Sequence, residues 1–507
     1  MRTLKPARVL GGASLALLLA GVCAQAFAAD RFSTTLKPIR AGQAEVSAIA
    51  VTARLEAADG QPLMLQAPII YPGAWRVADR IQGMSVLDAQ GPVPLEAKDD
   101  APQPGGFPYY RRWTPTRAVT YPVTIQYTAA VQPVGDRNGP PFGIRPAAGG
   151  VSGLGAGFMV MPQSSQPADL SLTWDLSDLA PGSVAATSYA IGDAKLKGPI
   201  STIAQSWYLA GPAGRYPATG EGHGFTGFWL GTSPFDPAKE LAYSAKLYAY
   251  LAKAFGYLGP EPEYRVFMRF LDTPPVGGGT AQPKSFMLSR ASAPFDPKAE
   301  GPRETLAHEM IHQWTGGVAA PDGVSSWFSE GLTTFYTALL PMRGGFTTVD
   351  AYTTEINRIA SGYQGSTAAN WTAAKIAEHG FGSEDIRHVP YLRSALYFAD
   401  IDARVRAKTK GKRKLDDVLA PMFVSREKGV RFDHAAWKAM VVKELGPQAA
   451  VEFEDRILEG KPWTPVADAY GPCFTRVAKT YQVEGRAVAG YAWQRVASVP
   501  DKTCQRW

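Results

Sequence analysis

His308-Glu309-Met310-Ile311-His312-Gln313-Trp314 is the stretch from which the rest of this chain can be read. Residues four apart on a helix are neighbours on one face, with Cβ atoms about 5–6 Å apart. Two imidazoles at that spacing reach one metal ion. A glutamate beside them completes HExxH, which on a helix is the pattern of a zinc site with its own general base. The flanking residues agree with a helix. Pro302 suits a first-turn position, and Glu304 follows in the favourable N-terminal turn. Leu306, Ala307, Met310, Ile311 and Trp314 supply an apolar side, leaving His308 and His312 on a different face. The chain has six histidines in 507 residues, so composition alone does not explain this pair.

A catalytic zinc takes three protein ligands and keeps a position open for water, and two histidines with a glutamate are a recurrent set. The candidate third ligand is Glu330, within Trp327-Phe328-Ser329-Glu330-Gly331-Leu332-Thr333-Thr334. Phe328, Leu332, Phe335 and Leu339 recur at spacings of 4, 3 and 4, which predicts a second helix capped by Ser325 or Ser326. Following so closely, it can pack antiparallel to the first and present Glu330 to the same ion. A third-histidine arrangement is excluded, because Val318 stands where that histidine belongs. His223, His379, His388 and His434 are isolated and read as structural or exposed.

HEMIHQW followed by WFSEGLTTFYT resembles the gluzincin metallopeptidases, in which HExxH precedes a glutamate on the next helix. WFSEGLTTFY is most similar to the glycyl aminopeptidase family, while HQWTGG is more similar to the aminopeptidase N family. The gap from His312 to Glu330 is one residue shorter than the usual aminopeptidase N spacing. Tyr71-Pro72-Gly73-Ala74-Trp75-Arg76-Val77 and the run from Val86 to Leu95 resemble the amino-terminal β domain of the glycyl aminopeptidases. Tyr391-Leu392-Arg393-Ser394-Ala395-Leu396 resembles the helix carrying the transition-state tyrosine in both families, so the resemblance assigns that role to Tyr391. It implies a thermolysin-like α/β zinc peptidase domain. Too few residues follow Pro462 for the PDZ domain many glycyl aminopeptidases carry.

The amino-terminal end predicts export. Arg2, Lys5 and Arg8 precede an apolar run from Val9 to about Val22, and Ala26-Phe27-Ala28 offers small residues for cleavage. Residues 1–28 read as a signal peptide, too short to span a bilayer comfortably, and place the mature protein in the periplasm or outside the cell. Val22 is too large for the position preceding a lipidated Cys23. Losing this segment removes three positive charges and lowers the net charge from +7 to +4, too mild for nucleic-acid binding. A basic run from Arg404 to Lys414 reads as a solvated connection between helices rather than as a membrane or acidic-partner surface. Of three cysteines, Cys473 and Cys504 remain after the signal and are expected to pair in an oxidising compartment. No later stretch reads as a stable membrane insertion.

The mature chain is long enough for two or three domains. Residues 29–234 are rich in glycine and proline with short alternating runs, which predicts a β-sandwich-like domain. Residues 235–349 read as a catalytic α/β subdomain carrying the zinc helices. Residues 350–460 read as a mostly helical subdomain, and 461–507 as a short C-terminal β extension with a hairpin over 474–496. Gly149–Gly157 reads as a flexible loop. The strand ending near Arg290 reads as an exposed edge that pairs with substrate backbone. Gly277–Ser285 superficially resembles a phosphate loop, but Pro283 stands where glycine is needed and a strand follows.

The expected chemistry is peptide hydrolysis on one zinc per chain, with His308, His312 and Glu330 as ligands, Glu309 as base and Tyr391 stabilising the oxyanion. The resembled families hold the substrate's free amine with a glutamate in a GxMEN or GGxEH segment. Gly277–Ser285 is the matching stretch and contains no acidic residue, and Gln282 cannot neutralise an amine. An exported zinc metallopeptidase acting on peptides is therefore expected, with aminopeptidase action open. The alternative is a non-catalytic exported binding or scaffold protein with a degenerate zinc site. Oligomeric state has no signature here.

Overall fold

The computed structural model describes residues 30–507, apart from 43–44, 58–60, 104–106, 136–139, 165, 221–223, 257–261, 275–276 and 428. The expected signal segment and His223 lie outside the described residues.

The amino-terminal part is β-rich. A seven-stranded sheet is centred on Asp30–Arg40, Val46–Glu56 and Val123–Ala130, whose side chains alternate between core and solvent. Such alternation is what a sheet with one covered face requires. A five-stranded sheet containing Leu65–Tyr71 and Tyr109–Pro115 covers that face. Leu36, Val51 and Ile125 share a core with Leu65, Ala67 and Trp113. A third sheet orders Arg145–Ala147, Gly150–Leu154, Trp207–Gly211 and Val184–Thr187.

The glycine stretch 149–157 is not a flexible loop. Gly150–Leu154 is a wholly buried strand, followed by a 3-10 turn over Gly155–Gly157. A Cβ on Gly153 would lie 2.7 Å from Ile144 Cα, so close packing is the reason for glycine there.

This third sheet seats the amino-terminal part on the next one. Leu154, Trp207 and Leu209 form one cluster with Phe228, Phe267 and Met287. Arg269, buried at the junction, donates to the carbonyls of Pro141, Gly143 and Ser152 over 2.8–3.1 Å.

Those last hydrophobic residues belong to a five-stranded sheet ordered Gly214–Tyr216, Phe225–Leu230, Tyr264–Leu271, Ser285–Ala291, Gly279–Gln282. Tyr264–Leu271 is buried throughout and runs parallel to both neighbours, as a strand covered on two faces does. The expectation of a free edge at Arg290 needs correction. Ser285–Ala291 is flanked on its outer side by Gly279–Gln282, which is the actual edge strand. Pro283 and Lys284 make the two-residue reversal, with Lys284 at φ 59°. Proline followed by a positive φ is the pattern of a type II turn.

The carboxyl-terminal half is mostly helical, with principal helices Arg303–Thr315, Ser326–Arg343, Val349–Gly365 and Glu384–Thr409. Pro302 takes the N-cap rather than the first helical position. Ser325 is the N-cap of its helix but makes no side-chain capping bond. Its backbone is helical (φ −61°, ψ −15°), whereas a capping side chain needs extended geometry. The basic run is largely internally paired: Arg404 with Asp400 and Glu452, Arg406 with Asp402, Arg413 with Glu444 and Lys414 with Asp416. At the carboxyl end Phe474–Val483 pairs with Arg486–Arg495, a short helix spans Asp501–Arg506, and Cys473 is bonded to Cys504 with Cα atoms 5.7 Å apart. Among the described residues no helix is long and apolar enough to cross a membrane.

Candidate metal centre

The histidine helix, Arg303–Thr315, is anchored at its start and its middle. Arg303 makes a two-pronged ion pair with buried Glu240 at 2.8 and 3.1 Å. Tyr264 donates its hydroxyl to the main-chain carbonyl of Glu309 at 3.0 Å. Two stripes of the helix then do different work, because residues four apart share a face. Thr305, Glu309 and Gln313 meet the hairpin of the edge strand. His308 and His312 turn toward the Glu330 helix, Ser326–Arg343.

The three expected ligands come together. His308 Nε2 and His312 Nε2 lie 3.3 and 3.2 Å from Glu330 Oε2, and 3.2 Å from each other. Donor atoms of a tetrahedral zinc with bonds near 2.0–2.1 Å are separated by about 3.3 Å, so this triangle fits the ion. Among the described residues it is the one cluster of three metal-capable side chains.

Two threonines that sequence reasoning passed over fix the histidine orientation. Thr333 Oγ1 lies 3.2 Å from His312 Nδ1, and Thr337 Oγ1 lies 3.5 Å from His308 Nδ1. Each threonine spends its one proton on a backbone carbonyl, Thr333 on Ser329 and Thr337 on Thr333. Thr333 Oγ1 also lies 2.6 Å from Thr315 Oγ1. With the threonine oxygens as acceptors, each imidazole would carry its proton on Nδ1 and aim the Nε2 lone pair at the ion. Neutral histidine in this tautomer is the metal-binding form. The signal was present in their spacing, three and seven residues beyond Glu330 and thus on its face.

Electrostatics set the remaining groups apart. Burial pushes the Glu309 carboxyl up to about 7 and Glu330 adds to the rise, while His312, Arg290 and a backbone hydrogen bond from Ala281 oppose it. Glu330 is half-buried, yet the two histidines hold its carboxyl well below the usual range. Burial lowers His308, whereas for His312 the attraction of Glu330 outweighs burial and raises it.

Tyr391 reaches the centre from a distant part of the chain. Its helix, Glu384–Thr409, crosses the Glu330 helix, its ring stacks on His308 with centroids 5.9 Å apart, and its hydroxyl faces Glu330. Burial and that carboxylate hold the phenol well above its ordinary pKa, so it is a hydrogen-bond donor at neutral pH. His388 packs on the outer side of Tyr391, His434 accepts from the Trp327 indole, and His379 is exposed; none joins the metal triangle.

The edge strand forms the opposite wall. Ser289 N–H donates to Gly278 O, and Gln282 pairs with Ser285 at the turn. In an antiparallel ladder bonded and non-bonded pairs alternate, so Gly279 and Ala281 direct their backbone polar groups outward. The Ala281 N–H is met by Glu309. Gly279 is required by contact: its Cβ would lie 2.8 Å from Glu309 Oε1.

Residues 302–379 match the M61 glycyl aminopeptidase family. Among solved structures, an aminopeptidase N family protein from Idiomarina loihiensis superposes with TM-score 0.66 at 14% identity, over 89% of this chain and 79% of that one. The chain has the fold of that aminopeptidase N family structure. An M1 zinc metallopeptidase variant from Deinococcus radiodurans, bound to a Tyr-Ser-Ala substrate, superposes with TM-score 0.54 at 16% identity, over 86% and 95% of the two chains. Leukotriene A4 hydrolase from Saccharomyces cerevisiae gives 0.52 at 13% identity, over 86% and 68%. No curated protein sequence matches significantly. The chain thus combines a segment similar to the M61 glycyl aminopeptidases, the one holding the His308–His312–Glu330 group, with the fold of the aminopeptidase N structures.

Proposed function

We propose that this protein is an exported zinc metallopeptidase that hydrolyses peptide bonds, with a thermolysin-like arrangement around its metal. The observation carrying the reading is the triangle of His308, His312 and Glu330 with Glu309 beside it and Tyr391 across it. His308, His312 and Glu330 would hold the ion. When bound, zinc lowers the pKa of a water toward neutrality and polarises a carbonyl.

The protein's own groups do the rest. Glu309, buried and raised toward neutral pH, is matched to taking a proton from water and passing it to the departing amine. Tyr391 donates a hydrogen bond where negative charge develops on the carbonyl oxygen. The outward backbone groups of Gly279 and the Ala281 carbonyl hold the peptide extended by strand pairing. Export is supported by the signal-like residues 1–28 and agrees with the Cys473–Cys504 bond.

The test is elemental analysis of the purified protein after mild dialysis, together with a peptide-hydrolysis assay. One zinc per chain and turnover that a chelator abolishes are expected. A folded protein that binds zinc yet hydrolyses no peptide would instead support the scaffold reading.

A further inference from the structure

Arg290 is the group at this site that the reaction leaves unused. It continues the stripe of Phe286 and Leu288, which pack into the helical core. At Arg290 that core ends, and its half-buried guanidinium lies against Thr305, on the stripe of the histidine helix that carries Glu309. It donates from Nη1 to Gly278 O at 3.2 Å and Ser289 O at 3.0 Å, and from Nη2 to Thr305 Oγ1 at 3.2 Å. All three partners are neutral. Among the described residues no carboxylate lies within ion-pair distance of it.

Its place relative to the chemistry follows from the histidine helix. Thr305 stands one turn before Glu309, a rise of about 5.4 Å to 6 Å. An extended peptide advances about 3.3 Å per residue, so Arg290 lies within one or two residues of the bond being cut. Gly278, its other partner, directly precedes the edge strand that would hold that peptide. Burial holds Arg290 below its ordinary pKa, and Glu309 is the anion acting against that. A half-buried guanidinium whose partners are neutral is the natural receptor for a carboxylate, which it can meet with two parallel hydrogen bonds.

We propose that Arg290 is a specificity-determining residue that binds a carboxylate of the substrate beside the scissile bond, so that this site selects acidic peptides. The inference rests on the peptidase reading above and names its substrate class. The carboxylate is an Asp or Glu side chain, or the terminal carboxylate of a short peptide. An amino-terminal ammonium at the same position is repelled.

The experiment compares zinc-loaded wild type with Arg290→Gln, Arg290→Lys and Arg290→Glu on doubly capped alanine peptides carrying one Glu or, as control, one Gln at each position. A second arm compares free-acid with amide carboxyl termini. Both members of each pair meet the same Glu309, so an indirect effect through that base cancels in the ratio. The expected acid-over-neutral ratio in kcat/KM is roughly 10- to 100-fold at one position in wild type. It should shrink in Arg290→Lys, approach unity in Arg290→Gln and invert in Arg290→Glu. The arm that responds identifies the source of the carboxylate. An unchanged ratio in folded Arg290→Gln overturns the proposal, and if that variant does not fold, an undiminished ratio in Arg290→Lys together with no inversion in Arg290→Glu does so. Binding of the same peptides to zinc-loaded Glu309→Gln separates the two readings. An acid preference in binding that depends on Arg290, without turnover in wild type of these peptides or of their counterparts with free amino termini, supports the receptor and removes the peptidase assignment. Turnover with no acid preference does the reverse.

Discussion

Gly331 and Ser394 touch where the Glu330 helix crosses the Tyr391 helix: a Cβ on Gly331 would lie 2.2 Å from Ser394 Cβ and 3.1 Å from Pro390 O. Glu330 adjoins Gly331 and Tyr391 adjoins Pro390 in the chain, so the distance between the two helices sets the distance between the proposed metal ligand and the proposed oxyanion donor. Gly331→Ala should therefore push the helices apart, cost about 1–3 kcal/mol in stability and lower kcat through Tyr391. Ser394→Gly in the same chain should restore part of both. Thermal unfolding and kinetics on the four members of the cycle test this, and a fully additive cycle would remove the contact as the cause.

Glu309→Gln keeps the shape of the side chain but cannot accept a proton. Zinc content should stay at one per chain while kcat falls by roughly 10²–10⁴-fold. Loss of zinc in this variant would reassign Glu309 to holding the site together.

Tyr391→Phe removes one hydroxyl that matters most when the carbonyl oxygen carries charge. The fall in kcat should exceed any rise in KM. A near-normal kcat would show that another donor meets the oxyanion.

Thr333→Val and Thr337→Val keep volume while removing the acceptors that hold the imidazole tautomers. Each should weaken zinc binding by about 10- to 100-fold, read by competition with a chromogenic chelator and without reference to activity. Thr333→Ser and Thr337→Ser should retain affinity. Equal loss in the serine variants would point to packing of the methyl group instead.

The Cys473–Cys504 bond joins the carboxyl-terminal helix to the start of the terminal hairpin across 31 residues of sequence. In the chain-entropy model closing such a loop contributes about 3–4 kcal/mol. Cys473→Ser with Cys504→Ser should lower the unfolding temperature, and the unreduced, denatured wild type should show no titratable thiol. Two titratable thiols would contradict the bond.

The grouping of His308, His312 and Glu330 with Glu309 beside them was legible in the chain because most of it is local. His308, Glu309 and His312 fall within five residues, and helix geometry alone puts both imidazoles on one face. Glu330 was legible because its apolar stripe announced the next helix. The amino-terminal sheets showed as alternation. What the chain alone did not reveal depends on contacts between distant segments. The turn at Pro283–Lys284 moved the free edge from the Arg290 strand to Gly279–Gln282, and packing against Ile144 made a strand of a glycine stretch. The tautomer-fixing roles of Thr333 and Thr337 required knowing which face of one helix meets another. So did the position of Tyr391, which only resemblance had suggested. Local periodicity dictates which side chains share a face. Which faces then meet, and with what charge between them, is decided by tertiary packing, because close approach and burial of polar groups are properties of pairs of elements and not of either one.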